Sequence, residues 1–124
     1  MKVSQQINFI VFSKGADSLY SLTADGKYCP SSLGRNKWKT LIVSEADLQS
    51  NCNKEGFNVI SEERGASKAR IGILGNNEED CKTCDSRIGF GTGRYHDDTN
   101  TCGNEHGWKW LPTRIKATGY ILVQ

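Results

Sequence analysis

The feature that most constrains the fold of this chain is a series of short β-prone runs that follow one another closely. Residues 7–12, 57–60, 69–74 and 87–90 are rich in β-branched and aromatic side chains, which favour strands. Glycine, asparagine and aspartate separate many of the runs and are typical of turns. Further strands are expected at residues 18–22, 27–29, 38–43 and 114–123.

One stretch is expected to be helical. Ser44 is a suitable N-terminal cap, Glu45 and Asp47 place negative charge in the first turn, and Gly56 would end a helix reaching about Cys52. Asp25-Gly26, in contrast, predicts a hairpin turn. About seven or eight short strands and one short helix predict an all-β fold, an antiparallel β-sandwich-like domain or an open barrel-like pair of sheets.

The length of 124 residues predicts a single domain, residues 1–124, with a modest core. Lysines and arginines are scattered among acidic residues and the net charge is only +2, so no basic track for nucleic acid is present. The longest apolar runs, 9–12 and 120–123, are far shorter than the ~20 residues that span a bilayer. We therefore expect no nucleic-acid partner and no membrane insertion.

Five cysteines in a small domain predict a disulfide-braced, secreted protein, although the first residues lack the form of a signal peptide. Cys81 and Cys84 are spaced as a redox pair or half of a zinc site would be, but no second such pair follows. A structural disulfide is the favoured interpretation, and the pairing stays open. The candidates are Cys29, Cys52, Cys81, Cys84 and Cys102.

A glycine-rich segment near residue 100 concentrates oxygen-bearing side chains. Calcium takes six to eight oxygen ligands, often carboxylates and amides on loops, so this composition predicts a Ca²⁺ site. A cysteine within the segment would hold it in place if it were bridged. The alternative is a solvated loop whose acidic and amide side chains form turns. The predicted ligands are Asp97, Asp98, Asn100, Asn104 and Glu105.

Two tryptophans follow that segment. Trp108 and Trp110 alternate, so in an extended strand both rings would lie on one side and could stack on the apolar face of a sugar. Two core tryptophans are the alternative, and Trp38 is expected in the core. No nucleophile elbow or glycine-rich nucleotide motif is present, so we expect a non-enzymatic protein. The predicted sugar-binding residues are His106, Trp108, Trp110, Asp98 and Asn100.

Three segments of the chain carry a resemblance to a known group of proteins. EGFNVISEERGASKARIGILGNNEEDCKTCDSRIGFGTG, DDTNTCGNE and IKATGYILVQ, between Glu55 and Gln124, resemble small secreted domains of marine invertebrates, including cnidarian extracellular proteins. The chain is similar in kind to the sea-anemone calcium-dependent galactose lectins, although residues 106–111 depart from that pattern. The resemblance implies a β-rich extracellular lectin that binds terminal galactose through Ca²⁺, often as a homodimer. An extracellular structural or protein-interaction module with a structural calcium site is the other interpretation.

Overall fold

The computed structural model describes residues 7–42, 45–107, 110 and 112–124. They form one six-stranded antiparallel sheet in which each strand pairs with the next along the chain. Two short helices precede most of the sheet. The helices are α1 (Leu19–Thr23) and α2 (Arg35–Lys39), and the strands are β1 (Cys29–Pro30), β2 (Asn51–Ile60), β3 (Lys68–Asn76), β4 (Ser86–Phe90), β5 (Cys102–His106) and β6 (Thr113–Lys116).

The all-β class predicted from the sequence is confirmed. The runs at 57–60, 69–74 and 87–90 lie within β2, β3 and β4. These runs are rich in β-branched residues, which favour strands, and most of their positions are buried in the sheet. Their composition therefore predicted strands correctly. None of the helices in the described part of the chain has the length and apolar character needed to cross a bilayer.

Several N-terminal predictions are wrong. Residues 7–12 pair with no other strand, although Ile10 and Phe12 pack against the core. The strand expected at 18–22 is largely α1, because Ser18 and Ser21 form reciprocal side-chain to backbone hydrogen bonds that cap the helix. The Asp25-Gly26 turn exists, with the Lys27 N–H donating to Asp25 Oδ1 over 2.9 Å, but it joins a helix to β1.

The predicted strand at 38–43 and the predicted helix after Ser44 are also wrong. Residues 35–39 form α2, and residues 45–50 contain no helix. Val43 and Ser44 lie outside the described residues. Gly56, which was expected to end that helix, lies within β2 opposite Gly72. At the other end, β6 begins at Thr113 and includes residues 114–116 of the run predicted at 114–123. Residues 117–123 form no strand.

One face of the sheet carries the larger apolar core. Trp38 from α2 is fully buried, as predicted, and packs in one cluster with Phe57, Ile73 and Ile88. The Phe12 ring completes this cluster, with its centroid 5.3 Å from that of Trp38. Short helices and the N-terminal segment therefore cover this face in place of a second sheet.

A row of four glycines crosses the middle of the sheet. Gly56, Gly72, Gly89 and Gly103 are direct partners on β2, β3, β4 and β5. A Cβ atom at Gly89 would lie 2.2 Å from the Ile71 carbonyl oxygen, and its φ of 153° is one that side-chain-bearing residues rarely adopt. The backbones approach along this glycine row more closely than any side chain would allow.

Candidate functional site

A row of charged side chains crosses the C-terminal half of the sheet. Arg87 on β4 is opposite Glu105 on β5, and Glu105 is opposite Arg114 on β6. Directly opposed residues in antiparallel strands share a face of the sheet, so the three side chains form one cross-strand row. The β4–β5 loop, residues 91–101, folds over this row, and we call the row and the loop the charged site.

Arg87 is the fully buried centre of the charged site. Its guanidinium donates to the carbonyl oxygens of Arg94, Tyr95, Asp97 and Asn100, at 2.6 Å for Asp97 and 3.3 Å for Asn100. Burial lowers the pKa of Arg87 from its ordinary value, while the neighbouring Glu105 carboxylate opposes that shift. An arginine stays charged under such conditions, so a positive charge holds the loop in shape.

The two aspartates of the loop accept local hydrogen bonds that stabilise its turns. Asp97 Oδ1 accepts from the Thr99 N–H over 2.8 Å and from the Thr99 hydroxyl over 2.6 Å. These hydrogen bonds are the main reason that the pKa of Asp97 is lowered, and Arg114 adds to the effect. Asp98 Oδ1 accepts from the Arg94 N–H over 2.6 Å. Asp97 therefore faces the charged row, whereas Asp98 is an exposed residue that closes the loop.

Glu105, Asn100 and Asp97 meet around Arg114. The Arg114 Nε lies 3.2 Å from Asp97 Oδ2 and 3.4 Å from Glu105 Oε1. Asn100 Nδ2 donates to Glu105 Oε2 over 2.9 Å, and the buried Asn100 Oδ1 atom has no hydrogen-bond partner among the described residues. Glu105 is fully buried, whereas the Arg114 side chain is 47% exposed. The half-exposed guanidinium of Arg114 thus bridges two carboxylates, that of Asp97 near the surface and that of the fully buried Glu105.

Asn104 and His106 lie on the opposite face of β5 from Glu105, because successive residues of a strand alternate. Asn104 is buried, and its amide exchanges hydrogen bonds of 2.7 and 2.8 Å with the backbone of Asp47. His106 is also buried, with Nδ1 3.1 Å from Asp47 Oδ2. The predicted acidic loop therefore ends at residue 101, and β5 divides the predicted ligands between two faces.

Aromatic side chains border the charged site. Tyr95 and His96 are exposed, and their ring centroids lie 5.4 Å apart in an edge-to-face arrangement. A Cβ atom at Gly107 would lie 2.1 Å from the His96 Cβ, so the loop packs tightly on the end of β5. Trp110 is fully exposed, and Trp108 lies outside the described residues.

The predicted calcium ligands fit a dication only in part. Asp97, Asn100 and Glu105 lie together, and the unpartnered Asn100 Oδ1 is an oxygen without a donor in the same group. In the described conformation, however, Arg114 occupies the position between the two carboxylates. Ca²⁺ would have to replace that guanidinium, and Asn104 and Asp98 would not contribute side-chain ligands from their present positions.

The disulfide prediction is confirmed, with the pairing now assigned. Cys52 on β2 bonds to Cys81 in the β3–β4 loop, and Cys29, Cys84 and Cys102 are free thiols. The expected anchoring of the acidic segment by a bridged Cys102 is wrong. Cys102 begins β5, where strand pairing with Phe90 and the contacts of Arg87 hold the segment instead.

The sequence interpretation missed Arg87 and Arg114, the two cations of the charged site. Both are single basic residues in β-prone runs, where a charge is ordinarily solvated. The available signal was positional, because Arg87 is a charged residue inside the β-prone run that forms β4. Comparisons with protein-family models, with curated proteins and with solved structures found no match to this chain.

Proposed function

We propose that this protein is a non-catalytic, secreted lectin that binds galactose-type sugars at the charged site. The observation that carries the proposal is the convergence of Asp97 and Glu105 on one position near the surface, which the half-exposed Arg114 guanidinium now fills. A cation held between two carboxylates at the surface can present its remaining coordination sites to vicinal sugar hydroxyls, whose oxygens accept such contacts. The exposed Tyr95 ring, two residues before Asp97, supplies an apolar surface for the sugar ring.

Calcium dependence is part of the proposal. Asp97, Asn100 and Glu105 would hold the ion in the position that Arg114 now occupies. The ion would supply coordination sites for two sugar hydroxyls. The support is the buried, unpartnered Asn100 Oδ1 atom, on an amide whose Nδ2 lies 2.9 Å from Glu105 Oε2, because calcium favours amide and carboxylate oxygens. The Arg114 side chain is 47% exposed, so it can turn into solvent and leave that position to the ion.

A modest affinity is expected for such a shallow polar site. A Kd of roughly 0.1 to 1 mM corresponds to about 4 to 5.5 kcal/mol. A homodimer would raise the avidity for a surface that carries several galactosides. We include a homodimer in the proposal, and sedimentation velocity over a range of concentrations tests it.

Binding to immobilised galactose tests the function. We expect retention in Ca²⁺, release by EDTA, and at least about tenfold weaker binding for Asp97→Asn. Asp25→Asn, in the turn before β1, is the matched control and should bind normally. Failure of the wild-type protein to bind any galactoside on a glycan array would refute the lectin proposal, and retention that persists in EDTA would refute its calcium mechanism.

The second candidate is an extracellular structural or protein-interaction module. It is favoured by the extent to which the loop oxygens are already committed to Arg87, Arg114 and Thr99. In such a module Ca²⁺ would raise the melting temperature and galactose would add nothing. In the lectin, free galactose at millimolar concentration should raise it further in the presence of Ca²⁺.

A further inference from the structure

A cluster of three sulfur atoms lies where the β3–β4 loop, which carries Cys81 and Cys84, meets Cys52 of β2. The Cys84 Sγ is 3.7 Å from the Cys52 Sγ, and all three sulfurs of Cys52, Cys81 and Cys84 lie within 4.8 Å of one another. We call this group the sulfur cluster. As a possible zinc site, the sequence interpretation considered only the Cys81 and Cys84 pair, because Cys52 is distant in sequence and is brought close by the pairing of β2 with β3.

The compact shape of the cluster argues against simple disulfide exchange. A thiolate attacks a disulfide in line with the bond that breaks. In-line attack on Cys52 would place the Cys81 sulfur beyond Cys52, about 2 Å further from Cys84. The Cys84 sulfur is already 3.7 Å from Cys52, yet the sulfurs of Cys84 and Cys81 lie within 4.8 Å of each other. The three sulfurs form a triangle, which is the arrangement of three ligands around one ion.

The distances suit a zinc ion once the disulfide is reduced. Zinc bonds to thiolate sulfur at about 2.3 Å, so two sulfurs on a tetrahedral ion lie roughly 3.8 Å apart. Cys52 and Cys84 already have this separation. Only the Cys52–Cys81 bond must open, and both residues are half-buried, so a reductant and the ion have access to them.

The backbone around the cluster is held independently of the disulfide. The N–H groups of Glu62, Glu63 and Ser67 donate to the carbonyls of Cys81, Lys82 and Cys84, each over 3.0 Å. These bonds fix the β3–β4 loop to the β2–β3 loop. Pre-positioned ligands lower the ordering cost of metal binding.

We propose that the sulfur cluster is a redox-controlled zinc site, closed by the Cys52–Cys81 disulfide and opened by a thiol reductant. In the opening step two thiols are oxidised to a disulfide, and the Cys52–Cys81 bond takes up two electrons and two protons. On binding, Cys52, Cys81 and Cys84 release their thiol protons and form three Zn–S bonds. Water takes the fourth position.

Cobalt substitution tests the proposal. The protein is reduced with a phosphine, titrated with Co²⁺ without oxygen, and followed by thiolate-to-cobalt charge-transfer absorption, after which Zn²⁺ is added. We expect one Co²⁺ per chain, displaced by Zn²⁺, and no binding to the oxidised protein. Cys84→Ser should weaken binding at least about tenfold and remove about one third of the absorption. Cys102→Ser, a free thiol elsewhere, should match the wild-type protein.

The folding of each variant is checked separately. Oxidised Cys84→Ser keeps the disulfide, so its circular dichroism should match that of the oxidised wild-type protein. Cys81→Ser, kept under the same reductant because Cys52 and Cys84 lie 3.7 Å apart, should bind Co²⁺ with the two remaining thiolates, more weakly than the reduced wild-type protein. Equal binding by Cys84→Ser, equal binding by the oxidised protein, or no thiolate absorption after reduction would each overturn the proposal.

Discussion

Replacing Arg87 with methionine removes the buried charge while keeping most of the side-chain volume. The change leaves Glu105 buried with Asn100 and a half-exposed Arg114 as its remaining partners. Arg87 lies opposite Glu105, and the carboxylate favours the charged guanidinium, although its direct ion pair is with Arg114. Removing one of two buried charges that attract each other typically costs about 3 to 5 kcal/mol, because the other charge loses compensation. The free energy of unfolding should therefore fall by an amount in this range.

The structure places the expected loss near the lower end. Three of the four carbonyls that accept from Arg87 keep another donor: Tyr95 O accepts from the Ser67 hydroxyl, Asn100 O from the Thr92 hydroxyl, and Asp97 O from the Asn100 N–H. Only the Arg94 carbonyl has no second donor among the described residues. We therefore expect a loss of about 3 kcal/mol and a melting temperature lower by roughly 10 °C.

Urea unfolding of both proteins measures the loss. Arg64→Ala, an exposed arginine in the β2–β3 loop, is the control and should change stability by less than about 0.5 kcal/mol. Adding Glu105→Gln to Arg87→Met should restore part of the stability, because the unpaired negative charge disappears. A loss below about 1 kcal/mol for Arg87→Met, or strictly additive effects in the double variant, would refute the central role of the buried guanidinium.

Three further predictions concern stability and reactivity. Gly89→Ala should lower the free energy of unfolding by more than about 2 kcal/mol, since its Cβ would meet the Ile71 carbonyl, whereas Gly15→Ala, in open space, should have little effect by the same urea assay. Because the pKa of Asp97 is lowered in the folded state, the ionised carboxylate stabilises the fold above about pH 4. That contribution is lost as the pH falls through the folded-state pKa. In thermal melts from pH 2 to 7, the melting temperature of Asp97→Asn should therefore fall less at acid pH than that of the wild-type protein. Burial raises the pKa of both the Cys84 and the Cys102 thiol, but Cys84 is fully buried whereas Cys29 and Cys102 are half-buried. Alkylation of the native, oxidised protein at pH 8, read by mass spectrometry, should therefore modify Cys29 and Cys102 before Cys84, and equal rates would contradict the burial.

The sequence by itself determined the fold class and part of the core. Strand composition located most of β2, β3 and β4, and the position of Trp38 in the core was correct even though its element was not. It also predicted a disulfide from the number of cysteines. These features depend on strand propensity and on the apolar character of side chains, and both are properties of short stretches of the sequence.

Only the tertiary structure decided the geometry of the two sites. β5 is a strand because its backbone pairs with β4 and β6, although its polar side chains predicted a loop. The same pairing buries Glu105 beside Arg87 and turns Asn104 to the other face. In the sulfur cluster, Cys52 approaches Cys84 only because β2 pairs with β3. Contacts between residues tens of positions apart depend on strand register, which no local pattern specifies.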